Sequence, residues 1–280
     1  MKIVKSIREV KEIVKEWRAN KETVGLVPTM GFLHEGHGSL ISSSVTANDH
    51  TVVSIFVNPM QFGPSEDLES YPRDLEKDAA YVASLGADLI FHPDSEEMYP
   101  NGFSTYVDMD ILTSELCGLS RPTHFRGVCT VVSKLFHIVE PDYAYFGKKD
   151  AQQLAVIQHM AEDLNMNLTV VGCPIVREAD GLAKSSRNTY LKTEERKAAL
   201  VLSKSIALGE KLVQNGERKA NVITSQMKQL IESEPLAKID YVKAVNGRTM
   251  QPIEEIQAPA LIAIAVYIGS TRLIDNFFVE

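Results

Sequence analysis

The chain has 280 residues, enough for one large domain or two smaller ones, and its 44% hydrophobic and 24% charged shares are those of a folded protein. Its 29 Lys and Arg against 37 Asp and Glu give a net charge of −8, which excludes a broad nucleic-acid or membrane-surface footprint but leaves room for a local basic cluster around one phosphate chain. Three cysteines (Cys117, Cys129 and Cys173) without C-x-x-C spacing exclude a disulfide framework and a Cys-rich zinc site, and fit a reduced, cytoplasmic setting. The N-terminal segment breaks every apolar step with Lys, Arg or Glu, unlike a signal peptide, and the longest apolar run, 260–268, falls far short of the ~20 residues that span a bilayer.

In chain order, Ser6 and Glu9 have the spacing of a capping box ahead of an amphipathic helix over 7–17, with Ile7, Val10, Ile13, Val14 and Trp17 on its apolar face. A strand over 23–27 follows, then a Gly-containing turn over 28–38 and a helix from Ser39 onward. The β-branched run 52–57 reads as a strand covered on both faces. Asp74 caps a helix that Gly86 ends, and 88–91 resumes as a strand. Further on, a buried helix over 127–139, a strand over 143–146, a helix over 151–164 and a strand over 168–171 continue the alternation. Alternating βα units imply an α/β fold with a parallel sheet and helices on both faces, whose ligands bind beyond the carboxyl ends of the strands.

After about residue 176 the texture changes to helices over 193–214 and 222–231, followed by strands over 239–245, 261–268 and 272–279. We therefore expect a nucleotide-binding α/β domain over 1–175 and a smaller C-terminal α+β domain over 176–280.

Four segments carry chemistry. Pro28 to His37 runs from a strand end into a helix start, where main-chain N–H groups and the helix dipole attract an anion, and Gly36 between His34 and His37 lets a polyphosphate approach. His-x-x-His can also bind a metal, although H-E-x-x-H is absent, and incidental surface histidines are a third reading. Lys184-Ser185-Ser186-Arg187-Asn188 places two cations around two hydroxyls, the composition of a mobile phosphate-wrapping loop or of a solvated linker. Gly147-Lys148-Lys149-Asp150 links a strand to a helix opened by Gln152 and Gln153; its Gly and Lys suit a phosphate, and Asp150 suits a ribose hydroxyl or a helix cap. The 56–63 segment ends a strand in Asn58, Met60 and Gln61, a mixture suited to a small substrate with both carbon skeleton and hydroxyls.

The motifs VPTMGFLHEGH (27–37), FVNPMQFGPSEDLESYPRD (56–74), RPTHFRGVCTVV (121–132), YFGKKDAQQ (145–153), KSSRN (184–188) and STRLIDN (270–276), in this order, resemble the pantothenate synthetase (pantoate–β-alanine ligase) family over essentially the whole chain. The histidine motif and KSSRN also resemble the wider nucleotidyltransferase superfamily.

That resemblance implies a Rossmann-like domain and an ATP-dependent ligase that joins pantoate to β-alanine through pantoyl adenylate, releasing pyrophosphate and AMP. It implies ATP binding by Met30, Gly31, Phe32, Leu33, His34, Glu35, Gly36, His37, Gly147, Lys148, Lys149, Asp150, Val176, Lys184, Ser185, Ser186 and Arg187. His34, His37, Lys149 and Arg187 are the implied catalytic set. Gln61 and Gln153 match the glutamines that hold pantoate, and Gln61 also lies where β-alanine would enter.

Val131 and Val132 are candidate walls for the dimethyl group of pantoate, against an ordinary helix-core role. Mg²⁺ is expected with the ATP phosphates, held mostly by substrate oxygens, with Asp78 a candidate ligand. Gly38 stands where the family commonly has a larger apolar residue, so a looser first helical turn is expected. A homodimer is implied, with no nucleic-acid or membrane partner. The rival function, nucleotidyl transfer to a phosphorylated acceptor, is disfavoured because Arg or Lys would suit such an acceptor better than Gln61 and Gln153.

Overall fold

The structure is a computed structural model that describes residues 1–64 and 66–280; Ser65, inside the 56–74 motif, lies outside them. Described elements run β1 (Lys2–Val4), α1 (Ile7–Ala19), β2 (Val24–Thr29), α2 (Glu35–Ala47), β3 (His50–Ile55), α3 (Leu75–Ser84), β4 (Leu89–Phe91), α4 (Ser95–Met98), α5 (Leu116–Ser120) and α6 (His124–Val139). They continue with β5 (Tyr143–Gly147), α7 (Ala151–Asp163), β6 (Thr169–Cys173), α8 (Thr193–Ala198), α9 (Leu200–Gln214), α10 (Ala220–Glu232), β7 (Ala237–Asn246), β8 (Ala260–Ile268) and β9 (Thr271–Val279).

The chain divides into two compact units. The first comprises Met1–Met109, Arg121–Lys148 and Val156–Pro174; the second comprises Asp110–Ser120, Lys149–Ala155 and Ile175–Glu280. This partition differs from a single cut after residue 175. The 110–120 segment joins the second unit because Gln152 donates to the carbonyls of Leu112 and Glu115, at 2.8 and 2.7 Å, and Gln251 donates to that of Ile111 at 3.0 Å.

In the first unit six parallel strands form one sheet in the order β1-β4-β3-β2-β5-β6. Strand order reverses at β2: β3 and β4 lie to one side, β5 and β6 to the other. The carboxyl ends of β2 and β5 therefore flank the topological switch point, where open α/β sheets bind ligands. Side chains alternate between the faces. Val27, Val53, Ile55 and Ile90 meet Leu40 and Ile41 of α2 and Val82 of α3. Leu26, Val52 and Leu89 point the other way and are equally buried, on the side where α6 reaches β2 and packs on α1.

Three local expectations are corrected. The Ser6 hydroxyl makes no capping bond; the Ile7 N–H is taken instead by Glu97 Oε1 at 2.7 Å. The second helix begins at Glu35 rather than Ser39 because His34 caps it. The helical stretch 193–214 is two helices, α8 and α9, meeting at Ala199. Trp17 on α1 stacks on the His50 ring, with centroids 4.1 Å apart and planes inclined by 11°.

In the second unit the antiparallel sheet β7-β8-β9 buries Ile262, Ile264 and Val266 of β8 against Leu202 and Ile206 of α9 and Ile223, Met227 and Ile231 of α10. Val176 to Lys184 forms a tight hairpin ahead of these helices: Lys184 N–H donates to Val176 O at 2.9 Å and Glu178 N–H to Leu182 O at 2.8 Å, with Gly181 in the left-handed region at φ +95.

Candidate active site

At the carboxyl end of β2 the Thr29 hydroxyl donates to Ser54 O at 2.7 Å and accepts the Gly31 N–H at 3.2 Å. Gly31 at φ +83 and Phe32 at φ +50 then turn the main chain so that successive N–H groups face one point, a concavity built for an anion. That anion is internal. Asp78, 2% exposed on α3, accepts Phe32 N–H on Oδ2 and Leu33 N–H on Oδ1, both at 2.7 Å. A Cβ at position 31 would lie 3.0 Å from Asp78 Oδ2 and from Ile55 Cγ2, so glycine serves both the backbone angle and the close approach. Burial pushes the Asp78 carboxyl above the ordinary aspartate range, with the two N–H bonds opposing.

The following helix start is closed by its own histidines. His34, the N-cap of α2, accepts Gly36 N–H on Nδ1 at 3.1 Å, and His37 accepts His34 N–H on its own Nδ1 at 3.3 Å. This is a capping box made of imidazoles. The rings sit 4.1 Å apart between centroids. Because each Nδ1 is an acceptor, each neutral ring carries its proton on Nε2. The N–H groups of Phe32, Leu33, His34 and Gly36, expected to meet a phosphate, have acceptors within the chain. Nor is the first turn loosened by Gly38: a Cβ there would come 2.1 Å from Tyr81 Oη, so the space of a larger residue is filled by the tyrosine.

Gln61 lies in a 3₁₀ turn, Pro59–Gln61, directly after β3. Asn58 fixes its orientation. Asn58 Oδ1 accepts from Tyr99 Oη at 2.8 Å and from Met60 N–H at 3.3 Å, and Asn58 Nδ2 donates to Gly127 O at 3.1 Å and to Gln61 Oε1 at 3.2 Å. A main-chain N–H can only give and a carbonyl can only accept, so neither amide can be reversed. Gln61 is left with Nε2 as its outward face, 2.9 Å from Met30 Sδ. The structure thus brings Gln61 and Met30 together. Gly127 makes this possible, since a Cβ there would lie 2.3 Å from Met60 O. Arg121 supports the same turn: its guanidinium grips Glu66 at 2.6 and 2.7 Å and reaches Gln61 O at 3.4 Å. Burial raises the Glu66 carboxyl, but Arg121 outweighs it and holds the group at about 2. Val131 and Val132 are buried within α6. Gly147 and Lys148 close the first unit's set at the end of β5.

The remaining candidates belong to the second unit. Lys149 Nζ lies 3.6 Å from Asp150 Oδ2, and Lys149 O accepts from Asn276 Nδ2 at 2.8 Å. Gln152 is buried and tied to the 112–117 segment, also accepting Cys117 N–H at 2.9 Å, while Gln153 beside it is half-buried. The KSSRN segment, expected as a mobile phosphate-wrapping loop or a solvated linker, carries a capped 3₁₀ turn, Ser186–Tyr190. Ser185 Oγ accepts Arg187 N–H at 3.3 Å, and Asn188 Nδ2 donates to Glu178 Oε1 at 2.8 Å and Ala183 O at 3.1 Å. Glu178 is raised by burial but lowered further by Arg196 and Asn188, leaving it below the usual range. Lys149 and Ser185, remote in sequence, line one small cavity together with Asn188 and Asp275.

Sequence reasoning passed over Asp78 as a clamp, Asn58 and Tyr99 as the fixers of Gln61, and Asn276 as the partner of Lys149. For Asn276 a signal existed, in that STRLIDN stood out as a motif. For Tyr99 there was none, because its role arises only through Asn58, 41 residues away.

A Rossmann-like parallel sheet with a histidine-capped helix at its switch point, together with the similarities to known proteins that follow, defines a ligase. A family model described as pantoate-beta-alanine ligase matches residues 2–278. The pantothenate synthetase of Ruminiclostridium cellulolyticum is 65% identical over 277 residues, covering 99% of this chain and 98% of that protein. One from Clostridium botulinum is 56% identical, covering 99% of each. Among solved structures, pantothenate synthetase from Thermus thermophilus superposes with a TM-score of 0.94 at 42% identity, covering 99% of each chain. The pantoate-beta-alanine ligase of Francisella tularensis, described as complexed with beta-gamma ATP and beta-alanine, gives 0.81 at 33% identity over 99% of this chain and 97% of that one. The chain belongs to the pantoate-beta-alanine ligase family.

Proposed function

We propose that the chain makes pantothenate in two steps on one site. A pantoate carboxylate oxygen attacks the α-phosphorus of ATP, the bond to the β-phosphate oxygen breaks, and pyrophosphate leaves. The β-alanine amine then attacks the acyl carbon of pantoyl adenylate, the C–O bond to AMP breaks, and the amine loses its proton. No covalent bond to the protein is needed, so positioning and charge stabilisation carry the acceleration.

The observation that carries this reading is the imidazole capping box. With Nδ1 accepting a main-chain N–H in each ring, Nε2–H is the donor suited to a phosphate oxygen, and His37 is assigned to donate hydrogen bonds to phosphate as much as to transfer a proton. ATP is assigned to Met30 to His37, Gly147 to Asp150, Val176 and Lys184 to Arg187, with Lys149, Lys184 and Arg187 countering the triphosphate charge. Gln61, able only to donate, suits a carboxylate or hydroxyl oxygen of pantoate and of β-alanine; Gln153 is assigned to pantoate. The Francisella relative's complex with beta-gamma ATP and beta-alanine supports both substrate classes.

Mg²⁺ is assigned to the incoming ATP, whose charge it neutralises when bound. Among the described residues no group of three or more His, Cys, Asp or Glu is arranged to hold a metal ion. Asp78 does not fit as its ligand, since both its oxygens clamp main-chain N–H groups. A cytoplasmic location is supported by three free, buried cysteines, and no described helix is long and apolar enough to cross a membrane. The homodimer rests on family resemblance and is tested by sedimentation.

Product analysis with ATP, pantoate and β-alanine, omitting each in turn, tests the chemistry. Pyrophosphate release should require pantoate but not β-alanine, and AMP should appear only with all three. ADP as the nucleotide product would overturn the adenylate.

A further inference from the structure

Two consecutive side chains of β9 hold groups on which the functional reading depends. Asp275, 2% exposed, receives Arg177 through parallel bonds, Nη1 to Oδ2 at 2.6 Å and Nη2 to Oδ1 at 2.9 Å. Arg177 also donates to Gly181 O at 3.1 Å, so this pair clamps the 176–184 hairpin that ends in Lys184. Asn276, 4% exposed, donates Nδ2 to the carbonyl of Lys149 at 2.8 Å, and its own N–H is held by Asp275 Oδ1 at 2.8 Å. Neighbouring strand residues point to opposite faces, so one short length of β9 can reach two motifs that lie far apart in sequence. The small cavity lined by Lys149, Ser185, Asn188 and Asp275 lies where those motifs meet.

A carbonyl hydrogen bond to Lys149 adds nothing to the charge of the side chain. What it does is fix the main chain from which that side chain extends, at the point where β5 has ended and α7 has not yet begun. Lys149 lies in a single 3₁₀ turn, Lys148–Asp150, and a buried amide on a β-strand anchors that turn from outside it.

We propose that Asn276, braced by Asp275, is a positioning residue of the ligase reaction: it acts through Lys149, setting that lysine against the hairpin and 3₁₀ turn that carry Lys184 and Arg187. This rests on the reading in which Lys149 handles the triphosphate.

A double-mutant cycle on the full chain tests it, with single-turnover pyrophosphate release as the readout. Asn276→Ala should slow adenylation about tenfold or more, the scale of a misplaced reacting group, with KM for β-alanine unchanged. In a Lys149→Ala background the same change should add less than about a twofold further loss, since residues acting as a unit are not additive. Asn276→Leu is close in side-chain volume, lacks the donor and serves for the same cycle if the alanine variant fails to fold. Wild-type rates in both Asn276 variants would overturn the proposal. So would a loss that multiplies in full with a slow Lys149→Ala, because a merely structural role behaves that way. Wild-type rates in Lys149→Ala alone would instead overturn the functional reading, and this proposal with it.

Discussion

The turn after β2 and the segment from Val176 to Asn188 carry similar assignments but are held by different physics. In the first, main-chain N–H groups are closed by buried or ring acceptors: Asp78 for Phe32 and Leu33, His34 for Gly36, and His37 for His34. In the second, main-chain hairpin bonds are reinforced by polar and charged side chains: Arg177 on Asp275, Arg196 on Glu178 and Asp180, and Asn188 on Glu178. A turn locked through its backbone keeps its shape whatever the ionic strength. A segment locked through ion pairs responds to salt and to pH in proportion to how exposed those pairs are.

The largest expected effects fall on one residue in each unit. His37→Ala and Lys149→Ala should each lower the adenylation rate by ~10²-fold or more, as for loss of one preorganised donor. Pre-steady-state pyrophosphate release measures this, and near-wild-type rates in both variants would discard the roles. Next is Asp78→Ala, which strands two buried N–H groups at about 1–3 kcal/mol each. Urea unfolding should show the loss, and an unchanged midpoint would mean that the clamp contributes nothing.

The Glu66 pair with Arg121 sharpens the comparison through pH. Its folded value of about 2 lies below the ordinary 4.5, so its contribution is complete above about pH 4.5 and is lost as pH falls towards 2. Glu66→Gln should flatten the acid limb of the stability profile by up to about 2 kcal/mol after allowance for solvent screening. Equal slopes in thermal melts of the two proteins between pH 5 and 3, on the order of one unit either side of the ordinary value, would remove the pair from the account. The smallest effect belongs to the second region: Asp180→Ala should cost under about 1 kcal/mol, since the pair is exposed and Arg196 keeps Glu178. A larger loss in denaturant titration would mean that the hairpin depends on that charge.

Much of the fold was legible because β-branched runs alternate with amphipathic stretches, which gives a parallel sheet with right-handed crossovers but not its strand order. The three-residue β1 was not legible, because Lys2 to Val4 is too short to show a period. The helix start was read late because Gly36 and Gly38 look like breakers, whereas the space beside Gly38 is filled by Tyr81, 43 residues away, and histidine is an unusual cap. The candidate residues themselves were legible as motifs. What the sequence concealed is their support: Asp78, Asn58, Tyr99 and Asn276 act through bonds that only the folded chain creates.

The stack of Trp17 on His50 has a practical use. The chain contains a single tryptophan, and it resides in the first unit. Indole emission therefore watches one half of the molecule, whereas far-ultraviolet dichroism watches both. Denaturation curves that coincide by the two signals would describe one cooperative transition, and curves that separate would give each half its own stability without any label being introduced.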